Sequence, residues 1–199
     1  MKELTMAAGT SAPRTRRDKE RNRSHILEIA QEFFSEEGVS GSLDTIAKRA
    51  GVGPGTLYRH FPTREALIAA LLQARYDELF DRRDAIERDE RDTARALEQW
   101  LEALYDYATA FDGLPDPLRD ALLEESSPLA TTCENFITAT DAFLVAAQQD
   151  HRAQPWVRGR DLFLDVLATA WVRGAALADD SSATVLRAVH KSGWMIPTP

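Results

Sequence analysis

Between Asp18 and Pro62 apolar residues recur at three- and four-residue steps, and the pattern is cut at Gly38, at Gly51 to Gly53 and at Pro62. A stretch divided in this way folds as short helices joined by tight turns. Ile26, Ile29, Ala30, Phe33 and Phe34 share one face of a helix expected from Asp18 to Glu37, and Gly38 stops it. Ser42 is placed to cap a second helix that turns Leu43, Ile46, Ala47 and Ala50 inward before Gly51 ends it. Pro54 suits the first position of a third, where its missing N–H would have no partner anyway. That helix runs through Leu57 to about His60, and Pro62 breaks it.

The same period continues beyond Pro62. Thr63 can cap a helix with Ala66, Leu67, Ala70, Leu71 and Ala74 on one stripe and a charged continuation from Arg75 to Arg83. Leu97, Leu101, Leu104, Ala108 and Phe111 make another face, closed by a turn at Gly113, Leu114 and Pro115. A short helix follows near Pro117 to Glu124, then longer ones from Leu129 to Gln149 and from Val157 to Leu177. A last helix, capped by Ser181 or Ser182, carries Val185, Leu186 and Val189. No run alternates apolar and polar residues between turns as a strand does, so the chain is predicted to be all-α, with about nine helices. Residues 1–13 are rich in Ala, Gly, Ser, Thr and Pro without any period, and a disordered tail is expected there.

Charge is distributed unevenly along the chain. The formal total is −8, yet residues 1–64 hold 11 Lys/Arg against 8 Asp/Glu, whereas residues 65–199 hold 13 against 24. Arg14, Arg16, Arg17, Lys19, Arg21 and Arg23 face only Asp18 and Glu20. An acidic whole is repelled by nucleic acid, but a basic end can still approach it, and the acidic remainder then orients the encounter.

Other classes are disfavoured. The longest apolar runs fall far short of the roughly 20 residues that span a bilayer, and no cleavable leader is seen near Met1, so a cytoplasmic location and no membrane partner are expected. The single cysteine, Cys133, reads as a small core residue. His25, His60, His151 and His190 are scattered without zinc spacing, and no phosphate loop or nucleophile elbow is present. No catalytic residue, metal site or cofactor is predicted, and the chain is not expected to be an enzyme.

Two short helices separated by Gly51, Val52 and Gly53 have the length and break of a helix-turn-helix, whose second helix lies in the DNA major groove. In that second helix only Leu57 and Phe61 suit a core, while Tyr58, Arg59 and His60 carry hydrogen-bonding tips. Gly55 costs roughly 1 kcal/mol relative to alanine within a helix, and a bare first turn permits close approach by a neighbour. Read singly, Gly55 also fits a loose connector, and Tyr58 a ring lying flat on the core.

From Leu43 to Leu67 the sequence LDTIAKRAGVGPGTLYRHFPTREAL resembles the signature of the tetracycline-repressor (TetR) family of transcriptional regulators. The resemblance is specific over about residues 24–70; beyond them only helix pattern and length are similar. It implies a helix-turn-helix DNA-binding domain at residues 14–63 and a helical effector-binding and dimerisation domain at 64–199. By the same resemblance Tyr58, His60 and Arg64 match phosphate-contacting positions, Thr45 a backbone contact, and Pro54, Gly55, Thr56 and Arg59 the face that meets base edges. Arg59 is chemically suited to guanine O6 and N7 together, and Arg16 and Arg17 to a flexible arm along the backbone or minor groove. Gly53 departs from the Ser or Thr frequent at its position, and Asp44 stands where relatives carry a basic or neutral residue.

Relatives of this kind bind a small molecule and pair as dimers. That implies here a double-stranded, palindromic operator, an unknown effector and a homodimer. The effector pocket expected is lined by Trp100, Tyr107, Phe111, Phe136, Thr140, Phe143, Phe163 and Trp171, aromatics with few polar anchors; an all-α core would use the same residues. Gly174, Ala175 and Ala176 permit close helix approach at a dimer seam or within one subunit. Two alternatives stay open: a DNA-binding regulator without an effector, and a helical small-molecule binder with a vestigial head.

Overall fold

The computed structural model describes residues 12–173, 175, 179 and 181–197, with side chains from residue 18 onward. The described residues form nine helices: α1 (Ala12–Glu37), α2 (Leu43–Arg49), α3 (Pro54–His60), α4 (Arg64–Asp89), α5 (Thr93–Ala108), α6 (Pro115–Asp120), α7 (Ala130–Gln149), α8 (Gly159–Val172) and α9 (Ser182–Trp194). Beyond them there is one isolated antiparallel bridge, between Ala153 and Met195. The protein is all-α.

Most helix ends follow the sequence signals. Thr63 Oγ1 accepts from the Ala66 N–H at 3.1 Å at the start of α4, and Pro54 opens α3 behind Gly53. Gly51, at φ +64°, ends α2 in the left-handed region where glycine carries no Cβ penalty. Other ends differ from expectation, among them those of α4 and α6, the latter running from Pro115 to Asp120. Helix α4 runs past Arg83 to Asp89, and α5 starts where the Asp92 carboxylate accepts from the Ala94 and Arg95 N–H groups at 3.0 and 3.1 Å. Those bonds hold the Asp92 carboxyl below its ordinary range, with Arg152 adding to the effect.

Helix α1 begins at Ala12, before the expected start at Asp18. Pro13 sits in the first turn, where a missing N–H breaks no ladder, and the following run of Arg, Lys and Glu is helix-forming. The backbone carrying Arg14, Arg16 and Arg17 is therefore helical where a flexible arm was expected; their side chains lie outside the described residues.

A continuous apolar core runs from Ile26 on α1 to Trp194 on α9. At the N-terminal end Ile26, Phe34, Ile46, Leu57, Phe61 and Leu67 are shut away from solvent. Each such side chain contributes roughly 1.5–3 kcal/mol, and together they fix the angle between α2 and α3. In the rest of the chain α5, α7 and α8 pack on one another, α4 lies against α5, and α6 and α9 lie against α8.

The first three helices meet the others at a tight joint. Gly38 stands at φ +71°, and a Cβ there would come within 2.9 Å of the Asp112 carbonyl oxygen. The Val39 N–H donates to that oxygen at 2.9 Å, and the Phe34 ring meets Phe111 edge-on at 6.2 Å. The backbone of the α1–α2 turn is thus bonded to the α5–α6 turn.

Candidate nucleic-acid interface

Burial sorts the residues of α3 into two sets. Leu57 and, just past the helix, Phe61 point into the core, while Tyr58 is 44% exposed and Arg59 is exposed. Leu57 and Phe61 are four residues apart and share one face. Tyr58 and Arg59 lie 100 and 200° round the helix from Leu57 at the ordinary helical step of about 100°. Burying one pair therefore turns the other outward.

Arg59 is held rather than free. Its Nε donates to the Gly55 carbonyl at 3.1 Å and Nη2 donates to Thr56 Oγ1 at 3.0 Å. The guanidinium fork is drawn back over the first turn of α3, beside Pro54 and Gly55, which are exposed. A Cβ added at Gly53 or Gly55 would meet no protein atom within 4 Å. The bareness of that turn serves no internal packing, so whatever gains from it comes from outside the chain.

His60 is half-buried beside this surface. Burial first, then the positive charges of Lys19, Arg23 and Arg59, push its pKa below the ordinary histidine value. At neutral pH the ring is uncharged and can donate one N–H. The Arg23 guanidinium of α1 lies 5.2 Å from the Phe61 ring centre, and Lys19 stands one turn before it on the same helix. The sequence reading saw the basic run but named only its first arginines as contacts. The signal for Lys19 and Arg23 was the helical face they share with Ile26, within the helix already expected from Asp18. Thr45 is half-buried on α2, with Lys48 exposed one turn later.

Arg64 is placed differently from the expectation. It is half-buried, and its Nη1 donates to the carbonyls of Val39 at 2.5 Å and Gly41 at 2.6 Å. Both oxygens belong to the α1–α2 turn, whose groups have no helical partner. The guanidinium satisfies them and braces that turn against the start of α4, instead of standing out with Tyr58 and Arg59.

Most of the residues expected to line an effector pocket pack on one another, while Phe111 and Trp171 border a separate cavity of about 300 Å³. Trp100 stacks on Phe143 at 5.7 Å, Tyr107 meets Phe136 edge-on at 4.9 Å, and Phe136 lies 5.9 Å from Phe163. The Thr140 hydroxyl accepts from Trp100 Nε1 at 2.9 Å and donates to the Phe136 carbonyl at 2.7 Å. It has no spare proton for a ligand. Phe111 packs on Phe34 at the joint. Trp171 faces outward, 55% exposed, because it lies about 20° round α8 from Leu164 and shares an exposed stripe with it and Ala168. Cys133 is buried with its thiol on the Leu118 carbonyl at 3.4 Å, and burial pushes its pKa up to about 12, as a core residue requires. Among the described residues no His, Cys, Asp and Glu cluster suits a metal ion, and no helix is long and apolar enough to cross a membrane.

Residues 26–71 match the family described as bacterial regulatory proteins, tetR family, and residues 92–194 match the C-terminal domain of SbtR-like transcriptional regulators. The chain belongs to the TetR family. A TetR transcriptional regulator from Streptomyces coelicolor is 33% identical, with a TM-score of 0.56 over 88% of this chain and 99% of that one. An HTH-type transcriptional regulator of Staphylococcus aureus is 46% identical over 63 residues, which are 31% of this chain and only 34% of that protein. A ketosteroid transcriptional regulator of Mycobacterium tuberculosis, 21% identical, shares the fold at a TM-score of 0.56 over 96% of this chain and all of that one. In this TetR-family regulator α2 and α3 are the helix-turn-helix, and α3 is its second helix.

Proposed function

We propose that this TetR-family regulator is a homodimeric, non-enzymatic repressor in the cytoplasm that binds an approximately palindromic operator and leaves it when a small molecule binds. Residues 14–63 form the DNA-reading unit in this proposal, and residues 64–199 the sensing and pairing unit. The observation that carries the DNA-binding part is the outward face of α3: Tyr58 and Arg59 exposed, with the Arg59 fork held over the bare turn at Gly55. Pro54, Gly55, Thr56 and Arg59 meet base edges. Tyr58, His60 and Thr45, with Lys19 and Arg23 beside them, take the phosphates, which position the protein without reading sequence. Arg16 and Arg17, on the same helix, add phosphate contacts in this proposal.

Pairing is supported by apolar side chains left in solvent on the last two helices. Leu164 and Trp171 on α8 are 40 and 55% exposed, and Val185 and Val189 on α9 are 55 and 57% exposed. Of the small residues considered for a seam, Gly174 and Ala176 lie outside the described residues. Release by a ligand requires that it bind the DNA-incompetent state more tightly, and operator then weakens the ligand by the same factor. A regulator without an effector is the second reading, and the filled aromatic centre around Phe136 favours it.

Selection of bound sequences from random duplexes, followed by affinity measurements on variants, tests the assignment. Arg59→Ala is expected to relax preference at one guanine, losing roughly 1–3 kcal/mol of discrimination. Lys19→Ala is expected to weaken all duplexes alike and to lower the salt slope by about one. Equal losses on selected and random DNA for both variants refute the division of roles.

A further inference from the structure

The cleft between α5, α8 and α9 has a volume of about 300 Å³ and lies apart from the aromatic centre. Its walls are mainly apolar, with Leu101, Val166 and Ala188 on three different helices and the buried Trp194 at its end. Its charged groups are matched with one exception that matters. Lys191 bonds Glu98 and His190 bonds Asp165, so both of these nitrogens are already engaged. Arg187 has no carboxylate partner among the described residues. Its guanidinium lies 4.4 Å from the Tyr105 ring centre and makes one long hydrogen bond, from Nη2 to Thr184 Oγ1 at 3.4 Å. Glu102, on the rim, is exposed and solvated.

A half-buried guanidinium with most of its five donors unused, stacked on a ring that fixes its plane, suits a carboxylate taken two oxygens at once. Lys191 is taken by Glu98, which leaves Arg187 as the cation of the cleft open to a ligand. The volume stands at the lower limit of small-molecule sites, roughly 300–1,000 Å³. We infer that this cleft binds a small monocarboxylic acid with an apolar body, its carboxylate on Arg187 and its body against Tyr105, Leu101 and Trp194.

As a site for the effector, this inference rests on the ligand-responsive reading above. It also supplies a route to the dimer. Helix α9 is pinned at its C-terminal end, where the Gln154 N–H donates to the Trp194 carbonyl and the Ile196 N–H to that of Arg152, both at 2.9 Å. One face of α9 lines the cleft, and the other carries exposed Val185 and Val189. A guest on Arg187 presses on a helix whose far side is offered to a second copy.

The test is calorimetric titration of the full chain, without DNA, with isovalerate, hexanoate, phenylacetate and cinnamate, and with phenethylamine as the cationic counterpart. At least one acid is expected to saturate at about millimolar or below. Arg187→Gln should weaken it by about tenfold or more through loss of the charge-assisted pair, with Arg187→Lys between the two. Unchanged circular dichroism of the variants keeps the comparison valid. Saturation by none of the acids, equal binding by Arg187→Gln, or binding of the amine abolished by Glu102→Gln each overturns the inference. Because no operator is present, failure here leaves the DNA-binding reading standing, and failure to select a DNA sequence leaves this titration interpretable.

Discussion

Gly55 shows what a single residue discloses when its surroundings are known. From the sequence it was either a loose connector or a bare surface for a neighbour. The structure leaves 4 Å of open space where its Cβ would be, so Gly55→Ala meets no steric penalty inside the protein. The substitution is expected to stabilise the fold by up to about 1 kcal/mol through helix propensity, seen as a melting temperature higher by about 2–4 °C. It should at the same time weaken binding to selected duplexes. Fluorescence anisotropy and thermal melting on one sample separate the two effects, and unchanged DNA affinity would show that the glycine is only a connector. Arg64 teaches the converse. Its charge and place in the family signature suggested phosphate, but the carbonyls of Val39 and Gly41 reach it first, and no spacing in the sequence forecasts a contact across more than twenty residues.

At the scale of elements, helix existence was legible and helix rotation was less so. Every predicted helix is present because three- and four-residue apolar steps and local caps are local physics. Which apolar stripe faces inward was settled by neighbours. Val185 and Val189 look like the core face of α9, yet they are exposed, and the helix is held instead through Trp194, the Lys191 ion pair to α5 and the His190 bond to α8. The joint between the first three helices and the rest is also invisible in sequence. It makes a test possible: Gly38 and Gly51 share a positive φ, +71 and +64°, but only Gly38 has a backbone oxygen within 2.9 Å of a built Cβ. Gly51→Ala should lose about 1–2 kcal/mol from left-handed strain alone, and Gly38→Ala distinctly more, because the Val39 bond to Asp112 must open. Urea denaturation of both measures the difference, and equal losses would mean that the joint contributes nothing.

For the whole molecule, the proposed pairing of two copies is what a test must reach. One α3 reads few base pairs, and a two-fold pair predicts half-sites about one helical turn apart, near 34–36 Å. Val189→Arg places a charge on a side chain that is 57% exposed in the single chain, so the fold should tolerate it while pairing fails. Sedimentation is expected to move from dimer to monomer, with affinity for a two-half-site duplex falling to that of one half-site. A variant that stays dimeric and binds as before removes α9 from the interface. The sequence by itself determined the all-α class and the helix-turn-helix, because periodicity, capping and a dense local signature act over a few residues. Only the tertiary structure decided that Thr140 and the aromatics around it are packed core, that Arg64 is a brace, and that an unmatched Arg187 looks into a cleft. Each of those depends on which side chains from distant helices arrive at the same place, and packing sets that collectively.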